Sequence, residues 1–202
     1  MTDKVELLQK VTAFDGYFKI VRYHLRHRLF AGGWTGEVVR EVFERGHAAA
    51  VLPYDPIRDE VVLIEQFRAG AYAAHSENPW LLEVVAGIME VGETPEQVAI
   101  REAQEEAGCV ISDLIPMYQF LVSPGGTSET TAIFCGHVCT QGVGGIHGLV
   151  EENEDIQVHV VKFDKALKML AEGKIRSAPP IIALQWLALH REDVRKQWGI
   201  GA

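Results

Sequence analysis

Hydrophobic and polar residues follow two patterns along this chain, and each predicts a different kind of strand. Residues 17–30 (YFKIVRYHLRHRLF) and 37–45 (EVVREVFER) alternate apolar and charged positions around the turn cluster AGGWTG, which predicts two half-buried strands. Residues 48–54 (AAAVLPY) and 60–67 (EVVLIEQF) are apolar runs separated by a turn, which is typical of buried central strands. Residues 1–15 are expected to be a loose start.

Turn residues and the same patterns predict the remaining elements. Further strands are predicted at 80–86, 115–122, 130–139 and 158–163, and helices at about 95–107, 164–172 and 179–190. The last helix is apolar nearly all round, so we expect it to be buried against the sheet or a partner. Strands alternating with a few helices predict an α/β sandwich.

Composition narrows the class of protein. The chain has 202 residues, which suits one domain or a domain with a small appendage, and its 48% hydrophobic and 23% charged content is ordinary for a globular protein. The net charge of −9 argues against a general binder of nucleic acid. No secretory signal and no membrane-length apolar run is expected, and three cysteines favour a reducing, cytoplasmic setting.

Two of the cysteines flank a histidine in FCGHVC, which raises the question of a zinc site. The spacing of Cys135 and Cys139 does not match a tight zinc knuckle, and the apolar context is that of a strand. Buried structural cysteines are therefore the preferred interpretation.

The segment 87–109 (GIMEVGETPEQVAIREAQEEAGC) is unusually acidic. Six glutamates and a single basic residue, Arg101, lie between Glu90 and Glu106. Glu102 and Glu106 are four residues apart on the predicted helix, so they share a face near its C-terminus, where negative charge is unfavourable. Chemistry alone leaves two interpretations open, a solvated acidic face and a magnesium site built from hard oxygen ligands.

Capping residues define the ends of this helix. Thr94 is a good N-cap, Pro95 suits the first helical position, and Gln97 completes a capping box. Gly108 is the residue expected just beyond the C-terminus. The helix is therefore predicted at about 95–107.

The spacing in this segment resembles the Nudix box, G-x5-E-x7-R-E-U-x-E-E-x-G-U, where U is apolar. The fixed positions are occupied by Gly87, Glu93, Arg101, Glu102, Glu105, Glu106 and Gly108, and the apolar slots by Ala103 and Cys109. Resemblance to the Nudix hydrolases implies an α/β/α sandwich with a mixed sheet. It also implies magnesium-dependent attack of water on a diphosphate that joins a nucleoside to another moiety, with manganese as a possible substitute.

The resemblance extends over nearly the whole chain and is greatest to the bacterial ADP-ribose pyrophosphatase group of that family. Pro124, in SPGG, follows Gly108 by sixteen residues, as the proline that marks this group does. The resemblance implies ADP-ribose as the small-molecule substrate, with AMP and ribose 5-phosphate as products. Two alternatives stay open: another nucleoside diphosphate sugar such as GDP-mannose, and a module that binds ADP-ribose without cleaving it.

The resemblance also implies roles for individual residues. The implied metal ligands are the backbone carbonyl of Ala86 and the side chains of Glu102, Glu106 and Glu154. The implied catalytic carboxylates are Glu152, which orients or deprotonates the water, and Glu105. The implied substrate-binding residues are Tyr17, Arg40, Glu41, Arg68, Ile88 and Ser123. Gly87, Glu93, Arg101 and Gly108 are structural, and Arg101 is expected to pair with Glu105.

Several of these residues have a simpler interpretation as well. Arg68, at the end of a predicted strand, is either a phosphate ligand or half of a surface ion pair. Glu152 lies in the acidic run EENEDI and is either the base or a solvated loop acid. The N-terminal arginines protect a sheet edge or recognise a phosphate or an adenine; they are Arg22, Arg26, Arg28, Arg40 and Arg45.

The expected organisation is an N-terminal strand subdomain at 1–47 and a Nudix hydrolase domain at 48–202. A two-stranded hairpin is marginal in water because it cannot bury both of its faces. The N-terminal hairpin is therefore expected to pack on, or swap with, a second copy of the chain, which predicts a homodimer.

Overall fold

The computed structural model describes residues 3–149, 151 and 153–200. The chain divides into two compact units. The first unit is Met1–His47 with Phe120–Thr131, and the second unit is Ala48–Gln119 with Ala132–Ala202.

Five strands come first along the chain, and helices lie between and after the later strands. The strands are β1 (Val5–Asp15), β2 (Lys19–His27), β3 (Val38–Glu44), β4 (Ala48–Asp55), β5 (Glu60–Phe67), β6 (Trp80–Glu83), β7 (Val85–Ile88), β8 (Asp113–Leu121), β9 (Thr130–His137), β10 (Gly145–His147) and β11 (Ile156–Lys162). The helices are α1 (Ala69–Ala73), α2 (Pro95–Ala107), α3 (Phe163–Ala171) and α4 (Ala178–Gln197).

The first unit contains an antiparallel sheet in the order β1-β2-β3. β1 pairs with β2 from Val5 opposite His27 to Asp15 opposite Lys19. The expectation of a loose start at residues 1–15 is therefore wrong for most of that segment. All eleven residues of β1 are exposed, so the strand lacks the buried face whose alternation would have revealed it in the sequence.

Charged side chains cover this sheet. Arg22 donates to Glu41 at 2.7 Å and Arg26 donates to Glu6 at 2.8 Å, in both cases across neighbouring strands. The guanidinium of Arg28 stacks on the Trp34 ring with its carbon 4.4 Å from the ring centroid. For these three arginines the contacts favour the interpretation as a charged, solvated sheet surface.

The loop after β8 belongs to the first unit and pairs with the end of β3. The backbone N–H of Phe43 donates to the carbonyl of Gly126 at 2.8 Å, and the Thr127 hydroxyl donates to the carbonyl of Phe43 at 2.9 Å. Arg45, next to β3, makes an ion pair with Glu129 at 3.5 Å. The loop with the sequence SPGGTSE is thus fixed to the three-stranded sheet.

The second unit is built on a mixed sheet. Its eight strands among the described residues run in the order β10-β11-β5-β4-β9-β8, with β6 on β5 and β7 on β4. The single strand predicted at 80–86 is in fact two strands. β6 pairs with β5 through Ile64 and Glu83, whereas β7 pairs with β4 through Ala50 and Ala86. The break at Val84 is where the chain passes from one neighbour to the other.

Helices cover both faces of this sheet. On one face, α2 packs through Val98 and Ala103 onto a core that includes Val62 and Ile64 of β5. On the other face, the Tyr54 ring of β4 approaches rings at the start of α3 and the end of α4. The resulting three layers form the expected α/β/α sandwich.

The three predicted helices are present, and one of them is longer than predicted. α2 begins and ends where the capping residues predicted, and α3 lies at the expected place. α4 is longer than predicted and continues to Gln197. Its first half buries Leu184 and Leu187, but Leu189 is mostly exposed, so the helix is not buried all round.

The cysteines divide between interior and surface. Cys109 and Cys135 are buried, as expected, whereas Cys139 is exposed and accepts a contact from the guanidinium of Arg58 at 3.4 Å. The expectation that Cys139 is buried is therefore wrong, because β9 ends at His137 before it reaches that residue. None of the helices in the described ranges is long and apolar enough to cross a membrane.

Candidate active site

Local sequence sets the position of α2, which carries the acidic residues. The Thr94 hydroxyl accepts from the backbone N–H of Gln97 at 3.3 Å, and the Gln97 side chain accepts from the Thr94 N–H at 2.8 Å. Gly108 ends the helix with a φ of 61°, in the left-handed region. Both ends of the helix are thus fixed, and with them the direction of each glutamate: Glu106 is buried, whereas Glu96 is exposed.

Glu106 is the most deeply buried acid of this helix. Only 4% of the residue is exposed, and its Oε2 accepts from the backbone N–H of Ala86 in β7 at 3.0 Å. Burial, together with the charge of Glu102, raises the pKa of Glu106 to about 8 against the opposing effect of the Ala86 N–H. A buried carboxylate in this state binds a proton or a cation readily.

Glu102 lies one turn earlier, directly over β7. Burial raises the pKa of Glu102, and the positive charge of Arg101 opposes that rise. The Glu102 carboxylate occupies the space in which a Cβ atom on residue 87 would lie, so any larger residue at position 87 would displace that carboxylate. Gly87 therefore allows the carboxylate to approach the strand.

Arg101 connects Glu102 with two acids outside the pair of Glu102 and Glu106. Its guanidinium donates to Glu93 at 3.0 Å, to Glu102 at 2.8 Å and to Glu105 at 3.0 Å. The expected pairing with Glu105 is present, and Glu93 is an additional partner. These contacts lower the pKa of Glu93 and raise that of Arg101. Arg101 is thus a bridge between the loop before α2 and the helix itself.

The loop before β11 brings a further acid towards the pair. Glu154 is half-buried, and its Oε2 accepts from the backbone N–H of Leu149 at 3.1 Å. Its charge contributes to the raised pKa values of both Glu102 and Glu106. Glu152, the predicted base, lies outside the described residues.

Arg68 follows β5 with an extended backbone, at φ −123° and ψ 111°. Its Nε donates to Oε2 of Glu83, at the end of β6, at 2.6 Å. The charge of Arg68 lowers the pKa of Glu106, so the guanidinium lies on the side of the acidic pair. The ion pair that the sequence left open is present, and it leaves the terminal nitrogens of Arg68 without a hydrogen bond to any described residue.

The remaining predicted site residues of the second unit are on β7. Ala86 is opposite Ala50 in β4, and Ile88 is opposite Ala48. Ile88 is the last residue of β7, and its side chain is partly exposed. Ala86, Gly87, the half-buried Glu102 and the buried Glu106 are therefore brought together, with Glu154 and Arg68 near enough to influence them.

The other predicted substrate residues belong to the first unit. Tyr17 is highly exposed in the turn between β1 and β2. Arg40 donates to the backbone carbonyl of Val39, and Glu41 accepts from Arg22. Ser123 accepts backbone hydrogen bonds within the loop after β8, and Pro124 is in the same loop.

Two residues beside this site were not predicted. Glu83, in the run WLLE, contacts Arg68, and its only sequence signal is a charge at the end of an apolar strand. Gln66 is buried on β5, and its Nε2 has no hydrogen-bond partner among the described residues. A polar residue within an apolar run is a weak signal, since its contacts depend on strands distant in sequence.

Comparison with known proteins identifies the class. The NUDIX domain model matches residues 44–184, so the chain belongs to the Nudix family. Among its relatives are proteins named ADP-ribose pyrophosphatase from Escherichia coli K12, 54% identical over 194 residues (96% of this chain, 92% of the relative), and from Haemophilus influenzae, 46% identical over 197 residues (96% and 90%).

A more distant relative is named GDP-mannose pyrophosphatase, from Enterobacter sp. strain 638. It is 31% identical over 194 residues, which is 94% of this chain and 97% of the relative. A solved structure titled as an ADP compounds hydrolase aligns with a TM-score of 0.71 and 19% identity, covering 100% of this chain and 99% of that one. This last similarity supports the fold.

Nudix hydrolases generally use a divalent metal, and the acids of this chain suit one. Among the described residues, no three potential side-chain ligands are close enough to form a ready-made metal centre. Glu102 and Glu106 nevertheless offer hard carboxylate oxygens, and burial opposes their ionisation unless a cation compensates. The two residues therefore fit a divalent cation.

Proposed function

We propose that this chain hydrolyses the diphosphate bond of ADP-ribose to AMP and ribose 5-phosphate, with Mg²⁺ as its metal and Mn²⁺ as a substitute. The observation that carries the proposal is the pair of the half-buried Glu102 and the buried Glu106 beside the charge of Arg68. Such a site can hold a cation and the diphosphate it neutralises. The substrate is supported by the names of relatives at 54% and 46% identity, compared with 31% for the relative named for GDP-mannose.

In this proposal each residue of the second unit has a defined task. Glu102, Glu106, the Ala86 carbonyl and Glu154 hold the metal. When bound, the metal supplies charge neutralisation on the phosphate oxygens and a lowered pKa for the attacking water. Arg68 binds non-bridging phosphate oxygens through its terminal nitrogens.

The reaction is a displacement at phosphorus. The oxygen of water forms a new bond to one phosphorus, the bond from that phosphorus to the bridging oxygen breaks, and the leaving phosphate keeps the electron pair. Glu152 takes the proton of the water, with Glu105 as the second catalytic carboxylate. Because Glu105 accepts from Arg101, its charge is balanced while it acts.

The adenosine and ribose portions need recognition beyond the metal site. We assign this task to Tyr17, Arg40 and Glu41, with Ile88 and Ser123 as further substrate contacts. Tyr17 offers an exposed ring for stacking, and Arg40 offers planar donors. Gly87, Glu93, Arg101 and Gly108 maintain the shape of the box, and Pro124 marks the loop of the ADP-ribose group.

A homodimer is the second part of the proposal, with residues 1–47 as the dimerising subdomain and 48–202 as the hydrolase domain. β1 is exposed along its whole length and carries large apolar side chains, including Leu7 at 55% and Phe14 at 62% exposure. An edge strand of this kind is a pairing surface, so we assign it to a second copy. Full activity of a monomer at micromolar concentration in sedimentation would contradict this.

The cytoplasm is the compartment we assign to the enzyme. The support is the cysteine chemistry, since Cys109, Cys135 and Cys139 are all free thiols.

Turnover of a small panel of diphosphates tests the function. Hydrolysis of ADP-ribose, GDP-mannose, NADH and a diadenosine polyphosphate is measured with magnesium and with EDTA. A coupled phosphatase releases phosphate from the phosphomonoester products, and that phosphate is the readout. We expect magnesium-dependent preference for ADP-ribose, lost in Glu106→Gln. Preference for GDP-mannose would overturn the substrate assignment, and tight ADP-ribose binding without turnover would make the chain a sensor.

A further inference from the structure

We propose that Glu83 is a positioning residue that aims Arg68 at the diphosphate. The inference rests on the proposed function and deepens it, because it names a residue that acts on substrate through another. The contact that motivates it is the short hydrogen bond from Nε of Arg68 to Oε2 of Glu83, at 2.6 Å.

The backbone brings these two residues together from different strands. Glu83 is opposite Ile64 in the β5–β6 pairing, and Ile64 faces α2. Side chains alternate along an extended strand, and the backbone remains extended through Arg68, so Arg68 emerges on the same face. The N–H of Arg68 is also held, since it donates to the carbonyl of Pro79 at 2.9 Å.

The geometry of the pair leaves one edge of the guanidinium available. Glu83 accepts from Nε, whereas Nη1 and Nη2 have no hydrogen-bond partner among the described residues. A guanidinium is planar and has its donors in a fixed fork, so holding Nε fixes the direction of the terminal nitrogens. These nitrogens can then bind a phosphate in a bidentate manner.

The Glu83 side chain is more buried than the Arg68 side chain, as a residue that holds Arg68 in position should be. The Glu83 side chain is 12% exposed, and the Arg68 side chain is 42% exposed. The carboxylate is therefore the fixed anchor, and the arginine extends from it towards solvent and ligand. An anion as poorly solvated as Glu83 needs a cation nearby, and Arg68 supplies it.

Arg68 is also directed towards the acidic pair. It emerges on the face of the sheet against which α2 packs, and α2 carries Glu102 and Glu106. A diphosphate bound by a metal on these glutamates would lie within reach of the same guanidinium. Without Glu83 the arginine would lose its anchor and could turn towards these carboxylates.

The test is a double-mutant cycle on Arg68 and Glu83. Glu83→Ala removes the anchor, Glu83→Gln keeps an acceptor for Nε without the charge, and Arg68→Ala removes the ligand. Glu65→Gln is a matched control: Glu65 lies on β5 next to Ile64, faces the side of the sheet opposite to Glu83 and accepts from His159 at 2.9 Å. For each variant we measure kcat and KM for ADP-ribose, the magnesium concentration for half-maximal rate, and ADP-ribose binding in EDTA by calorimetry.

We expect Glu83→Ala to lower kcat/KM by about 10–100-fold, mainly through KM, and to weaken ADP-ribose binding in EDTA by a similar factor. Glu83→Gln should recover a large part of this loss. In the Arg68→Ala background, the added Glu83→Ala change should alter kcat/KM by less than about twofold, because the arginine through which Glu83 acts is absent. The control should stay within about twofold of wild type, and Glu83 variants should not shift the magnesium requirement.

Three results would overturn the inference: an unchanged kcat/KM in Glu83→Ala, an equal loss with and without Arg68, or a shifted magnesium requirement, which would make Glu83 a metal ligand. If the wild-type chain cleaves another member of the panel, the proposed substrate is wrong and the cycle is run on the compound that is cleaved. If wild type neither cleaves nor binds any of them, both proposals fail.

Discussion

The carboxylate of Glu102 fills the space beside Gly87 that any larger residue would need for its Cβ atom. One residue belongs to a helix and the other to a strand, and their contact closes the gap between α2 and β7. On the same strand, the N–H of Ala86 holds the carboxylate of Glu106. The glycine that begins the box is thus a requirement of side-chain packing, and the glutamates depend on it for their position.

Gly87→Ala should displace Glu102 and disrupt the site. Because the clash is with a carboxylate and its stem, the helix or the side chain must move, and a shift of about 1 Å at a catalytic group can lower the rate about 100-fold. We expect kcat/KM to fall by at least that factor, with a higher magnesium requirement. Gly36→Ala is the matched control, since no atom lies within 4 Å of its added Cβ. Wild-type turnover by Gly87→Ala would contradict the packing argument.

Glu106 should make the stability of the metal-free protein depend on pH. Its folded pKa of about 8 is above the ordinary glutamate value of 4.5, so the folded state binds the proton more tightly than the unfolded state. The stabilising contribution is full below about pH 4.5 and is lost as pH rises towards 8, with a limiting slope of about 1.4 kcal/mol per pH unit.

Urea unfolding in EDTA between pH 5 and 8 measures this contribution. Wild type should lose stability with rising pH more steeply than Glu106→Gln, which carries no titrating group at that position. Magnesium should remove much of the difference at pH 8, because the cation compensates the buried charge. Parallel curves of unfolding free energy against pH for the two proteins would show that Glu106 is solvated and has an ordinary pKa.

Arg101 should matter for both stability and activity. Its replacement by alanine leaves Glu93, Glu102 and Glu105 without their shared cation, and we expect a loss of about 1–2 kcal/mol in the free energy of unfolding. Turnover should also fall, since Glu102 loses one of the contacts that orient it. Lys174→Ala breaks an exposed pair with Glu172 and should change stability by less than about 1 kcal/mol. Equal effects of the two changes on stability would rule out a network.

Gln66 should be replaceable by an apolar residue with a gain in stability. Its Nε2 is buried without a partner among the described residues, and an unpaired buried donor is unfavourable by roughly 1–3 kcal/mol. We expect Gln66→Met to raise the free energy of unfolding by about 1 kcal/mol. Gln157→Met is the comparison. The Nε2 of Gln157 donates to the carbonyls of Gly145 and Val158, so this variant should be less stable than wild type. Destabilisation of Gln66→Met would reveal a solvent partner for the amide.

Sequence reasoning predicted α2 to the residue, because caps and helix periodicity act over a few positions. Thr94, Gln97 and Gly108 have contacts that lie within or beside the helix they define. It failed for β1, whose pairing with β2 leaves no buried face, and for β6 and β7, which look like one apolar run. The division between β6 and β7 depends on which strand lies alongside each of them, and those partners, β5 and β4, are remote in sequence.

In the site, too, the sequence determines contacts within one helix, and the tertiary structure determines contacts between elements. The spacing of the glutamates alone determined that Glu102 and Glu106 share a helix face and that Arg101 can reach Glu105. Only the tertiary structure decided that Glu106 is held by Ala86, that Glu102 requires Gly87, and that Arg68 is anchored by Glu83. Contacts within a helix turn are set by local geometry, whereas contacts between a helix and strands depend on the register and packing of the whole sheet.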